Sequence, residues 1–245
     1  MELPAAKDGT AFYAHDNMTV DGVKTRNWSF NWSVQDKVAT WVAYPLYSAT
    51  LSGVDRTNAW GYDPLLPNAS QPNMGSSSSS GLAESTTYSR GHQIPSADRL
   101  QNTNANAETF YYTNMTPQLS GFNSGIWGSL ETKVRTWASA SDTLYVVTGC
   151  VVEGSTTTTK TKDGNSTITV PTHYYKALLR LQNGNYSACA YYIEHANGLS
   201  SSNLNNYRIS VAKLEEYTGI DFFANLPAAV GDAKAATIQS TVTSF

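Results

Sequence analysis

The sequence predicts an α+β fold built on a mixed, mainly antiparallel sheet. Three observations support this. Segments rich in Trp, Tyr and Val recur at strand length, bounded by turn residues such as Asn183-Gly184-Asn185. One longer stretch carries helical periodicity, with Ile126, Leu130, Val134 and Trp137 spaced three or four apart. The 245 residues show no internal repeat and no interdomain linker, so a single domain over 1–245 is expected.

Residues 1–26 are polar and read as an irregular N-terminal segment. Residues 27–30 and 38–47 read as two strands with a hairpin at Asp36-Lys37, and Pro45 marks a strand end or sheet edge. Residues 53–82 form a long loop punctuated by Pro64, Pro67 and Pro72. Its serine run between Gly75 and Gly81 has nothing to pack with and is expected to be mobile. Loops of this length are usually functional or disordered, which draws attention to its one arginine, Arg56.

Residues 88–94 and 110–113 read as short strands, joined by an Asn-rich connection at 101–106 and stopped by Pro117. A helix is expected over 124–138. Asn123 before it is a favourable N-cap type, and Asn123, Trp127, Glu131 and Arg135 follow at four-residue spacing. Residues 144–152, 174–181 and 188–193 are apolar strands, and Asp163-Gly164 centres a hairpin within 156–170. Residues 211–217 form a short helix capped by Gly219, after which Phe222, Phe223 and Leu226 return to the body. The tail over 228–245 is Ala- and Thr-rich and is expected to fray.

Charged residues make up 14% of the chain and the net charge is −3, which excludes a globally basic nucleic-acid binder. Any grip on phosphate must come from a few placed arginines. No apolar run reaches the length of a membrane-spanning helix. The low charge and the Ser, Thr, Asn and Tyr content suit a secreted or periplasmic protein, although Met1-Glu2-Leu3-Pro4 lacks signal-peptide features. Cys150 and Cys189 form either one disulfide or two buried thiols. The oligomeric state is not legible.

The chemistry gathers around Arg90-Gly91-His92. Phosphodiester hydrolysis needs a base for water, positive charge for the phosphorus oxygens, and help for the leaving oxygen. His92 is the candidate base, since imidazole is mostly neutral at pH 7. Arg90 and Arg56 suit bidentate contact with phosphate oxygens. A Mg²⁺ ion takes few protein oxygens, so the Asn123 carboxamide suffices as a ligand, with Glu131 holding a metal-bound water. Each residue alone also has an ordinary reading: His92 a loop histidine, Asn123 a cap, Glu131 and Arg135 a helix pair. Asp98 and Arg99 read as a surface ion pair, Trp127 as packing, and His15, His173 and His195 as structural.

Together these residues resemble the DNA/RNA non-specific endonucleases of the ββα-metal (His-Me finger) superfamily, which are endonuclease G-like. The signature stands here as Ser89-Arg90-Gly91-His92, Pro95-Ser96-Ala97-Asp98, Phe110, Asn114-Met115-Thr116-Pro117-Gln118, Asn123, Trp127, Leu130-Glu131 and Arg135. A looser likeness runs from about Trp41 to Leu226. The resemblance implies a ββα-metal motif embedded in the α+β domain and cleavage of DNA and RNA with a divalent cation, Mg²⁺ or a substitute such as Mn²⁺. It implies His92 as general base, Asn123 as the direct metal ligand, Glu131 on a metal-bound water and Arg56 at the transition state. Arg90, Asn114 and Arg135 would bind substrate or order the site. One position departs: the family's Asp before Arg-Gly-His is Ser89 here. Two rivals stand beside this reading, a catalytically impaired nucleic-acid-binding relative and a secreted glycan- or surface-binding module.

Overall fold

The computed structural model describes residues 1–5 and 12–245. The chain opens with β1 (Phe12–His15), the hairpin β2 (Met18–Val20) and β3 (Val23–Thr25), then β4 (Trp28–Ser33) and β5 (Val38–Leu46). The irregular reading of 1–26 is therefore corrected for 12–25, while 6–11 lie outside the described residues. Asp21-Gly22, both at positive φ, closes the small hairpin as an Asp-Gly turn favours. β1 pairs with β4, and its buried His15 reaches across to Asp63 at 3.0 Å.

Next come β6 (Tyr88–His92), α1 (Thr103–Glu108) and β7 (Met115–Leu119). Two expectations change here. The Asn-rich connection is a helix, because the Asn102 side chain accepts from the Ala105 N–H at 2.8 Å and caps it. The strand expected over 110–113 begins later, after a 3₁₀ turn at Tyr112–Asn114, and runs through Pro117 instead of stopping there. β6 and β7 form a two-stranded ribbon, whose outer edges tolerate a missing N–H.

The helical stretch follows as α2 (Ser120–Phe122), a kinked segment (Asn123–Trp127) broken at Gly125, and α3 (Gly128–Ser139). Then come β8 (Thr143–Val151), the hairpin β9 (Thr158–Lys160) and β10 (Thr167–Thr169), β11 (His173–Gln182), β12 (Asn185–Glu194) and β13 (Arg208–Ile209). Both predicted turns are present: Asn183 and Gly184 sit at positive φ between β11 and β12, and Asp163-Gly164 lies between β9 and β10. Last are α4 (Val211–Thr218), ended by left-handed Gly219, then α5 (Leu226–Val230) and α6 (Asp232–Ser240). The tail folds back onto the body. Phe245 packs edge-on against Trp137, and Thr243 N–H donates to the Ala188 carbonyl.

The spine is a seven-stranded antiparallel sheet in the order β1-β4-β5-β8-β11-β12-β13. Side chains alternate across it and feed two cores. Leu144, Val146 and Cys150 of β8 and Tyr174 and Leu178 of β11 enter the first, under the long helix. Val147, Tyr175, Ala177 and Leu179 enter the second, against α4 to α6 and including Phe222, Phe223 and Leu226 as expected. Cys150 and Cys189 are separate buried thiols. Within 53–82 the only helical turn is Asn68–Ser70, yet the serine segment is pinned. Met74 and Leu82 are fully buried, and Gly81 N–H donates to the Met74 carbonyl. The expectation of a segment without packing is therefore corrected.

Candidate active site

The β6–β7 ribbon and the long helix form one ββα unit on the first core. His92 ends β6 opposite Met115, and four residues beyond the end of β7 the helix presents Asn123. Residue 91 must be glycine, because a Cβ there would lie 2.3 Å from the buried Gln118 side chain. The ribbon's far end is fixed by His195, whose Nε2 accepts from Leu119 N–H at 2.7 Å.

The helix begins at Ser120, so Asn123 is not its cap. The chain instead kinks at Gly125 (φ −94, ψ −111), between a short helical turn that carries Asn123 and the long helix that carries Glu131. Trp127 enters the core, stacked on Phe122 with ring centroids 5.6 Å apart.

His92 stands in an aromatic frame. Its ring meets Trp60 at 5.4 Å and Phe110 at 5.1 Å, both edge to face. Arg90 lies over Trp60 at 3.5 Å and Arg56 over Phe110 at 4.6 Å, so the two rings carry both the histidine and its flanking cations. Burial, then the charges of Arg56 and Arg90, hold the His92 pKa down at about 3. A contact with the Arg90 backbone carbonyl opposes them. His92 is therefore neutral at physiological pH. Its Nε2 is buried and has no hydrogen-bond partner among the described residues.

The other expected residues divide by what they already hold. Arg56 donates to Asn58 Oδ1 at 2.9 Å and Ser96 Oγ at 3.0 Å and keeps part of its guanidinium at the site. Arg90 donates to the carbonyls of Met74 (3.1 Å), Gly75 (3.3 Å) and Ser76 (2.7 Å), tying the serine segment to the ribbon. Asn114 is fully buried. Its Nδ2 donates to the Ile94 and Thr109 carbonyls, and its Oδ1 accepts from Ile94 N–H. Of the two duties expected of it, ordering fits this geometry and substrate contact does not. Arg135 pairs with Asp98 at 3.3 Å.

Asp98 and Arg99 are not a surface pair. Asp98 is buried and also accepts from Tyr44 Oη at 2.9 Å. Arg99 is fully buried and donates to the carbonyls of Asn27 and Pro45, cross-linking β4 and β5 where their ladder ends.

Lys176 was missed altogether. It is fully buried in β11, on the face of Tyr174 and Leu178, and donates to Thr148 Oγ1 at 2.7 Å. A lone lysine inside the apolar run Tyr174 to Leu179 was the available signal. Burial pushes the Glu131 carboxyl up and the Lys176 ammonium down, and each opposes the other's shift. Asp98 reinforces the rise at Glu131, whereas Arg135 and Arg56 resist it.

Among the described residues no group of three or more His, Cys, Asp or Glu side chains forms a metal cage. A cation bound here must keep much of its water or share ligands with a substrate, which suits a hard divalent ion. The side chains of Asn123 and Glu131 have no hydrogen-bond partner among the described residues, and both keep an opening to solvent. These two side chains fit such an ion, while the unpartnered His92 Nε2 is left to act as a base.

A model of the DNA/RNA non-specific endonuclease family matches residues 8–229. The chain is 30% identical over 233 residues to Nuclease C1 of Cunninghamella echinulata var. echinulata, covering 89% of this chain and 88% of that one. It is 34% identical over 196 residues to a nuclease of Nostoc sp., covering 77% and 68%. The crystal structure of the EndoG/EndoGI complex contains a similar fold, with a TM-score of 0.66 at 22% identity, covering 80% of this chain and 82% of that chain.

Proposed function

The chain belongs to the DNA/RNA non-specific endonuclease family, and we propose that it hydrolyses phosphodiester bonds of both nucleic acids with His92 as general base and one hydrated divalent cation at Asn123. The observation behind this is the neutral His92, its Nε2 free, set between Arg56 and Arg90. His92 takes a proton from water as its oxygen attacks phosphorus in line, and the bond to the 3′ oxygen breaks. Burial is the main cause of the low His92 basicity, and a phosphate lodged between Arg56 and Arg90 offsets the smaller part that comes from their charges. Arg56, with donors to spare, meets charge developing on the phosphorus oxygens. Asn123 would hold the cation, and Glu131 would accept a hydrogen bond from its hydration shell. The cation, Mg²⁺ or a substitute such as Mn²⁺, supplies positive charge to the phosphate and the departing oxygen. Arg90, Asn114 and Arg135 order the site.

The nuclease unit spans 1–245 as one domain in this reading, since both cores share one sheet. The low charge favours a secreted or periplasmic location. No helix among the described residues is long and apolar enough to cross a membrane.

The test is incubation of plasmid DNA and total RNA with Mg²⁺, with and without chelator, for wild type and His92→Ala. Cleavage by wild type alone, abolished by chelator, is expected. Salt-dependent binding with intact substrate under several divalent metals would instead identify the impaired relative that Ser89 raises.

A further inference from the structure

We propose that Lys176 is a positioning residue for Glu131: its ammonium, fixed beneath the long helix by Thr148 and the Trp127 ring, sets where the Glu131 carboxylate lies. This rests on the reading of Glu131 given above.

Lys176 occupies a position where β11 should present an apolar side chain. Tyr174 and Leu178, two residues to either side, both enter the first core. Burying an ammonium costs several kcal/mol unless charge and hydrogen bonds compensate it. Lys176 has one hydrogen bond, to Thr148 directly across the β8–β11 ladder, and its Nζ lies 4.8 Å from the Trp127 ring centroid. No carboxylate forms a contact ion pair with it among the described residues. The Thr148 hydroxyl and the ring face leave one of three ammonium donors unassigned.

Glu131 lies one turn beyond Trp127 on the same helix, and Trp127 is the ring over which Lys176 Nζ is held. The carboxylate has no hydrogen bond or ion pair of its own within the described protein, and the largest attraction on it comes from Lys176. The repulsion comes from Asp98, which Tyr44 and Arg135 hold in place. Glu131 therefore feels a fixed anion and a fixed cation, with weaker attraction from Arg135 and Arg56. Removing Lys176 takes away the largest of the three attractions and leaves the repulsion of Asp98 opposed only by Arg135 and Arg56, which loosens the carboxylate toward solvent. Because Thr148 and Lys176 are paired residues of adjacent central strands, the anchor itself is stiff.

The experiment is a double-mutant cycle on a short duplex with saturating Mg²⁺, using Lys176→Met, Glu131→Gln and the double variant, with urea midpoints recorded for each. Methionine keeps the volume and removes the charge. Lys176→Met should lower kcat by roughly 10-fold or more with KM changed less than about 3-fold, as for a group acting after substrate is bound. The double variant should be no slower than Glu131→Gln alone. A wild-type kcat in folded Lys176→Met, or losses that multiply in the double variant, would overturn the proposal. Should Lys176→Met not fold, Thr148→Val removes only the anchor. A smaller kcat loss that vanishes in the Glu131→Gln background then supports the proposal, and no loss overturns it. If Glu131→Gln by itself leaves kcat unchanged, the reading of Glu131 falls and this inference with it. A Glu131→Gln loss beside an inert Lys176→Met overturns this inference alone.

Discussion

Asn114→Ala separates an ordering role for that residue from a substrate-binding one. The Asn114 side chain closes three buried hydrogen bonds, at 2.9 Å and 2.7 Å to the carbonyls of Ile94 and Thr109 and at 2.9 Å from Ile94 N–H. Truncation strands three backbone groups, each worth about 1–3 kcal/mol when left buried and unpaired. Water entering the space recovers part of this, so a net loss of about 3–6 kcal/mol is expected. For a chain of this size that is roughly 10–20 °C in Tm. Urea unfolding at 25 °C should show a lower midpoint at unchanged slope. Asn114→Asp keeps the acceptor but turns an anionic oxygen toward two carbonyls, and should cost at least as much at pH 7. Because Ile94 lies two residues beyond His92, the folded fraction should also lose kcat. A midpoint shift below about 1 kcal/mol together with a raised KM would refute this account and return Asn114 to the substrate.

Two further outcomes follow from the same geometry. The His92 pKa is held near 3 against an ordinary 6.5, so as pH falls from 6.5 toward 3 the unfolded chain takes up a proton that the folded chain refuses. This contribution is intact above the unfolded value and lost progressively below it. His92→Ala should therefore flatten the decline in stability between pH 7 and 4 by up to about 3 kcal/mol, and parallel urea-midpoint curves for the two proteins would contradict the depressed value. Gly91→Ala would put a Cβ 2.3 Å from the buried Gln118 side chain. Overpacking of about 1–3 kcal/mol is expected, with β6 displaced and kcat reduced, and a wild-type urea midpoint and rate would refute that.

Much of the sheet was legible because each of its longer strands announces itself twice, by composition and by a bounding turn. Asn183-Gly184 fixed the β11–β12 register, and Asp163-Gly164 the outlying hairpin. What failed depended on partners far along the chain. Pro117 was read as a stop because a sequence does not show that β7 has only one neighbour. The serine segment was read as loose because its anchor, Arg90, comes later and binds it through backbone carbonyls, which have no side-chain signature. The helical stretch starts earlier than the sequence suggests because Asn123 is of a capping type, whereas the kink at Gly125 leaves little compositional mark. Of the site itself, the ordered spacing from Ser89 to Arg135 was visible, but Lys176 was not, since its partners come from Thr148 and from a different layer. Asp98 and Arg99 were misplaced for the same reason: adjacent opposite charges look like surface, and only Tyr44, Arg135 and the splayed end of β4 and β5 make them core.

The departure at Ser89 gains a physical meaning from the strand it sits on. Side chains alternate along β6, so Arg90 and His92 face Trp60 while Ser89 and Gly91 face the other way. Ser89 Oγ donates to Ser120 Oγ at 3.1 Å, and Ser120, the first residue of the helix, donates its N–H to the Thr87 carbonyl at 2.9 Å. The serine therefore belongs to a small bracket joining the ribbon to the helix that carries Asn123 and Glu131. An acid at this position would act on that same bracket and not on the imidazole. The exchange of Asp for Ser thus bears on how firmly the two halves of the ββα unit are held together. It leaves untouched the aromatic frame, the flanking arginines and the free Nε2 that make His92 able to take a proton.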